Sequence, residues 1–307
     1  MMRSVLLAGA QSPWLRERAP RLPFVRRTAS RFIPGEALDD ALAAAAILSR
    51  SGIATVVTHL GENITDAAEA RQEALLYGEV LGRIRDAGLP TELSIKLTQL
   101  GLDLGATRCY ENLARIIENA GTSSTVWIDM ESSAYVDITL ELYRRARTRY
   151  PNVGVCLQSY LYRTAKDLAA LTPLGPSIRL VKGAYPEPAN VAFPRKADVD
   201  ANYFAVARQL LGRQSQQAGL RAAFATHDSA LIDQIKLHAQ TIGMAKSAFE
   251  FQMLYGIRKD QQMRLGHEGY CSKVLITYGS AWFPWFMRRM AERPANMFFV
   301  LRNLVGG

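Results

Sequence analysis

The stretch VGVCLQSYLYRTAKDLAALTPLGPSIRLVK, residues 153–182, decides the architecture of this chain of 307 residues. It opens with an apolar run at Val153–Leu157, continues with helical periodicity over 163–171, and returns to an apolar run at Ile178–Lys182. Continuous apolar runs of this length are typical of strands that are buried on both faces in a parallel sheet. The stretch therefore predicts one β–α–β unit.

The same alternation continues in both directions from about residue 50. Eight apolar runs are predicted as strands: Ile53–Thr58, Leu93–Leu97, Thr125–Met130, Val153–Leu157, Ile178–Lys182, Ala222–Thr226, Ala248–Gln252 and Ser272–Thr277. Helices are predicted over 66–87, 106–120, 136–149, 163–171, 199–218, 229–240, 257–265 and 283–292. Eight such units in about 250 residues indicate an α/β fold of the TIM-like (β/α)₈ barrel type, and their number favours it over a doubly wound sheet.

The N-terminal segment differs from the rest in charge. Residues 1–31 hold seven arginines against one acid, Glu17, so they carry +6 of the net charge of +9. A further helix is predicted over 34–50, and we expect N-terminal helices over 1–49 followed by a barrel domain over 50–307. The basic segment is typical of a solvated helix, of a surface that contacts anionic lipid, or of a transit peptide. It contains no nucleic-acid-binding motif.

Several classes of protein are disfavoured by what the sequence lacks. No apolar run approaches the roughly 18–20 residues of a membrane span, so we expect a cytoplasmic protein, with peripheral contact at the inner face of the membrane as the functional interpretation of the basic segment. The three cysteines are far apart and predict reduced thiols and no metal site. The absence of HExxH, Walker A, GxGxxG and serine-elbow motifs disfavours metalloproteases, P-loop NTPases, Rossmann dehydrogenases and serine hydrolases.

Polar residues follow the predicted strands, where a (β/α)₈ barrel carries its active site. Collected at these ends are Lys96, Asp129, Glu131, Gln158, Thr226, His227, Asp228 and Tyr278, with Arg179, Lys182 and Tyr185 at the fifth strand, Glu250 and Gln252 in the seventh strand, and Arg288, Arg289 and Glu292 on the last helix. The set is rich in cations and poor in nucleophiles. Adjacent arginines and a lysine suit a carboxylate ligand, because guanidinium groups bind carboxylates bidentately.

Residue types alone leave alternatives open at three places. Lys96 suits an imine-forming nucleophile, a charge clamp or a surface residue equally well. The pattern of Arg288, Arg289 and Glu292 also suits an exposed ion pair, although the aromatic residues over 282–286 favour a packed helix. His227 also suits helix capping or packing.

Seven segments, read in order, resemble the proline dehydrogenase family over about residues 50–305. They are SIKLTQLGLDL (94–104), WIDME (127–131), LQSYLYRTAKDL (157–168), IRLVKGAY (178–185), FATHD (224–228), FEFQMLYGIR (249–258) and YGSAWFPWFMRRMAERPAN (278–296). The resemblance implies a distorted (β/α)₈ barrel that binds FAD without a Rossmann motif. It also implies oxidation of L-proline to Δ1-pyrroline-5-carboxylate by hydride transfer to the flavin N5, which is the first step of proline catabolism.

The resemblance also implies roles for individual residues. Asp129 and Arg179 match polar groups of the active site, and Arg179 matches the one near flavin N5. The matched substrate contacts are Lys96, Arg288 and Arg289 on the carboxylate, Glu292 beside these cations, Leu254 on the ring, and Tyr278. The matched FAD contacts are Met130, Gln158, Arg179, Lys182, Gly183, Ala184, Thr226 and His227.

One position departs from the family pattern, because Leu275 stands where a tyrosine normally faces the substrate ring. The preference for proline over hydroxyproline or another analogue is therefore open. The resemblance implies a quinone as electron acceptor and hand-over of the product to a pyrroline-5-carboxylate dehydrogenase. Two other classes stay in view: a barrel lyase or aldolase with Lys96 or Lys182 as imine nucleophile, and a non-catalytic binding protein that keeps the barrel.

Overall fold

The computed structural model of the protein describes residues 22–292, together with Trp14, Arg18 and Ala19. Within this part, the side chains of Phe24, Arg288, Ala291 and Glu292 are not described. Most of the basic segment that the sequence singles out over 1–31, and the residues after 292, therefore lie outside the described part of the chain.

The eight strands form a closed barrel in the order β1 to β8, and every neighbouring pair is parallel. The strands are β1 Ala54–His59, β2 Thr91–Ile95, β3 Val126–Ile128, β4 Val153–Gln158, β5 Ser177–Val181, β6 Arg221–Ala225, β7 Phe249–Leu254 and β8 Cys271–Tyr278. This confirms the (β/α)₈ barrel that the apolar runs predict.

The helices alternate with the strands as predicted, and the described residues before the barrel form two more. They are α1 Pro23–Ala29, α2 Leu38–Arg50, α3 Ala67–Asp86, α4 Ala106–Ala120, α5 Val136–Arg147, α6 Thr164–Leu171, α7 Lys196–Leu210, α8 Arg213–Gln217, α9 Ser229–Thr241, α10 Lys259–His267 and α11 Trp282–Glu292. The single helix predicted over 199–218 is wrong. Gly212 takes an extended backbone at φ −71° and ψ 162° and divides it into α7 and α8, since glycine weakens a helix by about 1 kcal/mol relative to alanine.

Strand alternation separates the two sides of the barrel wall. The outward side chains, among them Leu93, Phe224 and Phe251, are fully buried against the helices. The inward side chains are mostly polar, with one small apolar layer of Val56, Trp127, Ala223 and Leu275 halfway along the barrel.

The end of the barrel at which the strands begin is closed by four charged side chains, which we call the ion quartet: Glu92, Arg221, Glu250 and Lys273. Arg221 lies 2.8 Å from both glutamates, and Lys273 lies 2.7 Å from Glu92 and 3.3 Å from Glu250. Two cations therefore balance two anions, which is the condition for burying charge without a large loss of stability. The quartet lines a cleft of about 530 Å³ that also includes Gly52 and Tyr270.

The expectation that Glu250 belongs to the polar residues of the active-site end is wrong. Glu250 is only the second residue of β7 and faces inward, so it meets Arg221 at the start of β6. Gln252 follows two residues later on the same face and donates a hydrogen bond to Glu250.

We predict that Glu250→Gln lowers the free energy of unfolding by about 3–5 kcal/mol, because it leaves Arg221 and Lys273 with a single carboxylate in a buried site. Urea unfolding monitored by circular dichroism measures this change. The matched control is Asp39→Asn, which breaks the exposed pair between Asp39 and Arg83 and should change stability by less than about 1 kcal/mol. Equal losses in the two variants would contradict the importance of burial.

Candidate active site

The carboxylate of Asp129, directly after β3, lies at the centre of the polar cluster at the opposite end of the barrel. Its Oδ1 accepts hydrogen bonds from Ser94 Oγ at 2.8 Å and Arg179 Nη1 at 2.9 Å. Its Oδ2 accepts from Lys96 Nζ at 3.3 Å. The ends of β2 and β3 and the middle of β5 thus bring together Lys96, Asp129 and Arg179, three of the residues that the sequence singles out.

Burial and neighbouring cations act on Asp129 in opposite directions. Burial raises the pKa of this carboxyl, while the charges of Lys96 and Arg179 and the hydrogen bond from Ser94 lower it, and the net result is a pKa below its ordinary value. Asp129 is therefore an anion that holds two cations in place, in line with the usual effect of close opposite charges.

Arg179 is the most buried charged member of this cluster, with only 4% of its side chain exposed. Its Nη1 donates to Ser94 and Asp129. Its Nε and Nη2 are buried and have no hydrogen-bond partner among the residues that the structure describes. Buried donors normally have acceptors, so this edge of the guanidinium suits an anionic or electron-rich ligand.

Cys156 lies in the same cluster, although no sequence motif singles it out. Its Sγ is 3.4 Å from Asp129 Oδ1 and 3.7 Å from Arg179 Nη1. Burial raises the pKa of this thiol to about 12, so it is protonated near neutral pH and is a poor nucleophile. Strand alternation could have found it, because it lies two residues before Gln158 on the same face of β4.

Glu131 and Gln158 border the cluster on its β2 and β4 sides. Glu131 accepts from Thr98 Oγ1 at 2.7 Å, and burial raises the pKa of this carboxyl. Gln158 Nε2 donates to the carbonyl oxygens of Met130 at 3.4 Å and Glu131 at 3.0 Å. The Oε1 atom of Gln158 is buried without a partner in the described part of the chain.

A second ion-paired group lies where β5 and β6 end. Lys182 Nζ donates to Asp200 and, at 2.8 Å, to Asp228. Burial raises the pKa of Asp228, but the hydrogen bond and charge of Lys182 outweigh it and lower this pKa to about 2. Asp228 also accepts from Ala230 N at 3.2 Å and so caps the N-terminus of α9.

Residues 183, 226 and 227 line the same edge. Gly183 has φ of +116°, and a Cβ there would lie 2.3 Å from the ring of Tyr160, so only glycine fits. Thr226 Oγ1 accepts from Asp228 N at 3.1 Å. His227 Nε2 accepts from Leu254 N at 2.9 Å, so this histidine joins the end of β6 to the end of β7. Ala184 is partly buried beside Gly183.

Helix α11 packs across the mouth of the barrel through its aromatic residues. Trp282, Phe283, Trp285 and Phe286 are buried in one cluster with Leu60, and Leu254 packs against that cluster. The expectation that this helix begins in a packed environment is confirmed. Arg289 is partly buried, with its Cζ 5.7 Å from the centroid of the Trp285 ring. The side chains of Arg288 and Glu292 lie outside the described residues.

Tyr278 does not join the Asp129 cluster. It lies in the apolar core outside the barrel wall, with its ring centroid 5.1 Å from that of His59. Strand alternation places it on the opposite face from Leu275, which packs inside the barrel against Val56, Trp127 and Ala223. Burial raises the pKa of Tyr278 above its ordinary value.

The fold and the site together define a (β/α)₈-barrel protein whose active-site end presents a buried carboxylate between two cations. Comparisons with known proteins agree on its class. The family model described as "Proline dehydrogenase" matches residues 41–302. Proline dehydrogenase 2 of Bacillus subtilis subsp. natto is 40% identical over 91% of this chain and 90% of its own length. Proline dehydrogenase of Deinococcus radiodurans is 40% identical over 100% of this chain and 99% of its own.

A solved structure shares the fold. The crystal structure of proline utilization A (PutA) from Bdellovibrio bacteriovorus inactivated by N-propargylglycine is 25% identical, with a TM-score of 0.81. The alignment covers 87% of this chain and 33% of that one, so this chain spans about a third of that protein. The chain belongs to the proline dehydrogenase family, and it is an oxidoreductase with a (β/α)₈ barrel. This confirms the family resemblance of the strand-end segments.

We predict that Asp129→Asn lowers the free energy of unfolding at pH 7 by about 3–5 kcal/mol, because Lys96 and Arg179 lose their counter-ion. The folded pKa of Asp129 is depressed, so its contribution is present above its unfolded pKa of about 3.9 and is lost as the pH falls through the folded value. The difference between wild type and variant should therefore stay constant from about pH 8 to pH 5 and shrink below about pH 4.

Urea unfolding at each pH measures this difference. The control is Asp137→Asn, because Asp137 pairs with Arg163 at an exposed site and should contribute less than about 1 kcal/mol. A difference for Asp129→Asn that grows on acidification would contradict the depressed pKa.

Proposed function

We propose that this chain is an FAD-dependent proline dehydrogenase that oxidises L-proline to Δ1-pyrroline-5-carboxylate. The observation that carries the proposal is the buried cluster of Lys96, Asp129 and Arg179 at the active-site end of a barrel of this family. Its charges are fixed, its thiol is protonated, and Arg179 keeps two buried donors for a ligand. Such a site suits binding and orienting a ligand, and it is poorly suited to nucleophilic attack on one.

The polar atoms of the site fit a flavin. A flavin ring offers carbonyl oxygens and ring nitrogens as acceptors and one N–H as a donor. Arg179 Nε and Nη2 supply donors, and Gln158 Oε1 supplies an acceptor, all three buried without a partner among the described residues. We propose that these two side chains hold the ring with Met130, and that Lys182, Gly183, Ala184, Thr226 and His227 hold the rest of FAD.

When bound, FAD supplies the two-electron acceptor at N5 for the hydride on the ring carbon next to the proline nitrogen. The chain's own residues bind and orient the substrate. We propose that Lys96, Arg288 and Arg289 bind its carboxylate, that Glu292 balances these cations, and that Leu254 packs on its ring. A fixed carboxylate confines the ring to one pose, which removes part of the entropic barrier.

Asp129 has a positioning role in this proposal. One of its oxygens accepts a hydrogen bond from Lys96 and the other accepts one from Arg179. Asp129 therefore sets the distance between the lysine that binds the substrate and the arginine that contacts the flavin. A guanidinium beside the flavin stabilises negative charge that develops during reduction. The role of Tyr278 is indirect, because this side chain faces the helices, where it packs near His59 at the end of β1.

Two lysines were candidates for imine chemistry, and their contacts disfavour it. Lys96 is paired with Asp129, and Lys182 is paired with Asp200 and Asp228. An imine-forming lysine needs a free amine, which is usually produced by an apolar or cationic environment. Both lysines instead face carboxylates, so the geometry favours charged donors over nucleophiles.

The further partners belong to the same proposal. We propose a membrane quinone as electron acceptor, hand-over of the product to a pyrroline-5-carboxylate dehydrogenase, and a cytoplasmic protein whose basic segment contacts the inner face of the membrane. That segment carries +6, and each basic residue near anionic lipid contributes about 1 kcal/mol. Among the described residues, no helix combines the length and apolar character required to span a bilayer.

The first prediction of this function is a visible flavin spectrum that bleaches on anaerobic addition of L-proline. D-proline, which presents its carboxylate with the opposite hand, is the control and should bleach it far more slowly. Hydroxyproline tests the effect of Leu275, which offers no hydrogen bond to a ring hydroxyl. A colourless protein that does not take up FAD would overturn the proposal.

The second prediction concerns the carboxylate clamp. Arg289→Met should raise the KM for proline about tenfold to hundredfold with FAD content unchanged, since a hydrogen bond to a charged group contributes about 1.5–3 kcal/mol. Steady-state kinetics with a quinone analogue measures it. The control is Arg264→Met on α10, where Arg264 pairs with Asp233 and Glu268 at the surface, and its KM should not change. An unchanged KM in Arg289→Met would remove this residue from the clamp.

A further inference from the structure

Trp127 lies between the two charged clusters of the barrel interior and touches both. Its side chain is fully buried. The Cζ of Arg179 lies 4.6 Å from its ring centroid, and the Cζ of Arg221, in the ion quartet, lies 5.0 Å away. The indole Nε1 donates to Glu92 Oε2 at 2.7 Å. One side chain therefore connects the Asp129 cluster with the opposite end of the barrel, across the whole interior.

The surrounding barrel is shaped to this indole. Trp127 is paired in register with Gly154 on β4. A Cβ on Gly154 would lie 2.5 Å from the Trp127 ring, so any other residue would displace the indole. The other neighbours of this apolar layer are Val56, Ala223 and Leu275. The position of the ring is thus fixed both by the space around it and by its hydrogen bond to Glu92.

The guanidinium of Arg179 is held by hydrogen bonds on one nitrogen, so contact with an aromatic face adds a second restraint on its orientation. Its hydrogen bonds within the described residues are made by Nη1, to Ser94 and Asp129, with the sulfur of Cys156 at 3.7 Å. Its Nε and Nη2 have no partner there. Bonds from one terminal nitrogen leave the guanidinium plane free to tilt. The face of tryptophan is the aromatic surface that attracts cations most strongly, so it restrains that tilt.

The ion quartet holds the indole through a hydrogen bond. Glu92 accepts from Trp127 and is paired with Arg221 and Lys273. The hydrogen bond from the indole N–H to this anchored carboxylate fixes the orientation of the ring plane, so the ring keeps its contact with Arg179. Burial raises the pKa of Glu92, but Lys273 and Arg221 outweigh it and hold the pKa below its ordinary value, so Glu92 is an anion at neutral pH.

We propose that Trp127 is a positioning residue that orients the Arg179 guanidinium for the reaction, with Glu92 of the ion quartet holding the indole from the far end of the barrel. The inference rests on the proposed function, because it assigns Arg179 to the redox cofactor. It adds a residue that touches neither substrate nor cofactor and acts through Arg179 alone. Sequence position agrees, since Trp127 precedes Asp129 by two residues on the inward face of β3.

The test uses the flavin-loaded, full-length protein and the variants Trp127→Phe and Trp127→Leu. We expect the limiting rate of flavin reduction by proline, per bound flavin, to fall about tenfold in Trp127→Phe and further in Trp127→Leu. The KM for proline should stay within about twofold, and the flavin midpoint potential should become more negative as Arg179 loses its orientation. Trp127→Phe keeps most of the ring volume, so it tests the proposal even where Trp127→Leu does not fold.

Arg179→Met provides the decisive background. If Trp127 acts through Arg179, Trp127→Phe should change neither the reduction rate nor the midpoint potential further in the Arg179→Met protein. The same loss in both backgrounds would overturn the proposal. The matched control is Phe224→Leu, a fully buried aromatic residue on the outer face of β6. It should reduce stability and flavin content but leave the reduction rate per bound flavin unchanged.

A separate measurement distinguishes failure of this inference from failure of the proposed function. Urea unfolding of wild type, Trp127→Phe, Arg179→Met and the double variant, all without flavin, gives the coupling between the two side chains. We expect the unfolding equilibrium constants to depart from additivity by about fivefold. If Trp127 and Arg179 are coupled but proline does not reduce the flavin, the enzymatic role is refuted while the contact between the two side chains is supported. Additive effects together with normal reduction by proline would refute the positioning role.

Discussion

The carboxylate of Asp129 is the constraint on which the interior of this barrel depends. A carboxylate enclosed by protein is tolerated only when its charge is matched and its oxygens are hydrogen-bonded. Asp129 meets this condition with Ser94 and Lys96 at the end of β2 and with Arg179 in the middle of β5. The three strands must therefore close in one register. The same contacts hold two cations at the end of the barrel where the strands end.

The polar interior is arranged in layers along the barrel axis. The Asp129 cluster lies at one end and the neutral ion quartet at the other, and the indole of Trp127 separates them while contacting an arginine of each. Alternation along the strands produces this order, because residues two apart share the inward face. Trp127 and Asp129 on β3, and Ser94 and Lys96 on β2, are such pairs. The geometry of the Asp129 cluster and the stability that the ion quartet provides therefore depend on one connected core.

Local sequence patterns predicted most of the fold and part of the site. The apolar runs gave all eight strands, because buried parallel strands need apolar side chains on their outer face regardless of their neighbours. The rule that strand ends converge brought Lys96, Asp129 and Arg179 together correctly. The rule was wrong for Glu250, which lies at the start of its strand and so at the opposite end of the barrel. It also did not identify Ser94, Cys156 and Trp127, which lie within their strands. The helix over 199–218 failed at Gly212, because its periodicity continued across a backbone that turns there.

By itself, the sequence determined the barrel, the family and the identities of the charged residues, because these depend on local periodicity and on ordered motifs. Only the tertiary structure decided which cation meets which carboxylate, that Tyr278 faces the helices rather than the barrel interior, and that Trp127 fits against Gly154. Such contacts join residues from different strands. They depend on the register and closure of the whole barrel, and no stretch of sequence contains that information locally.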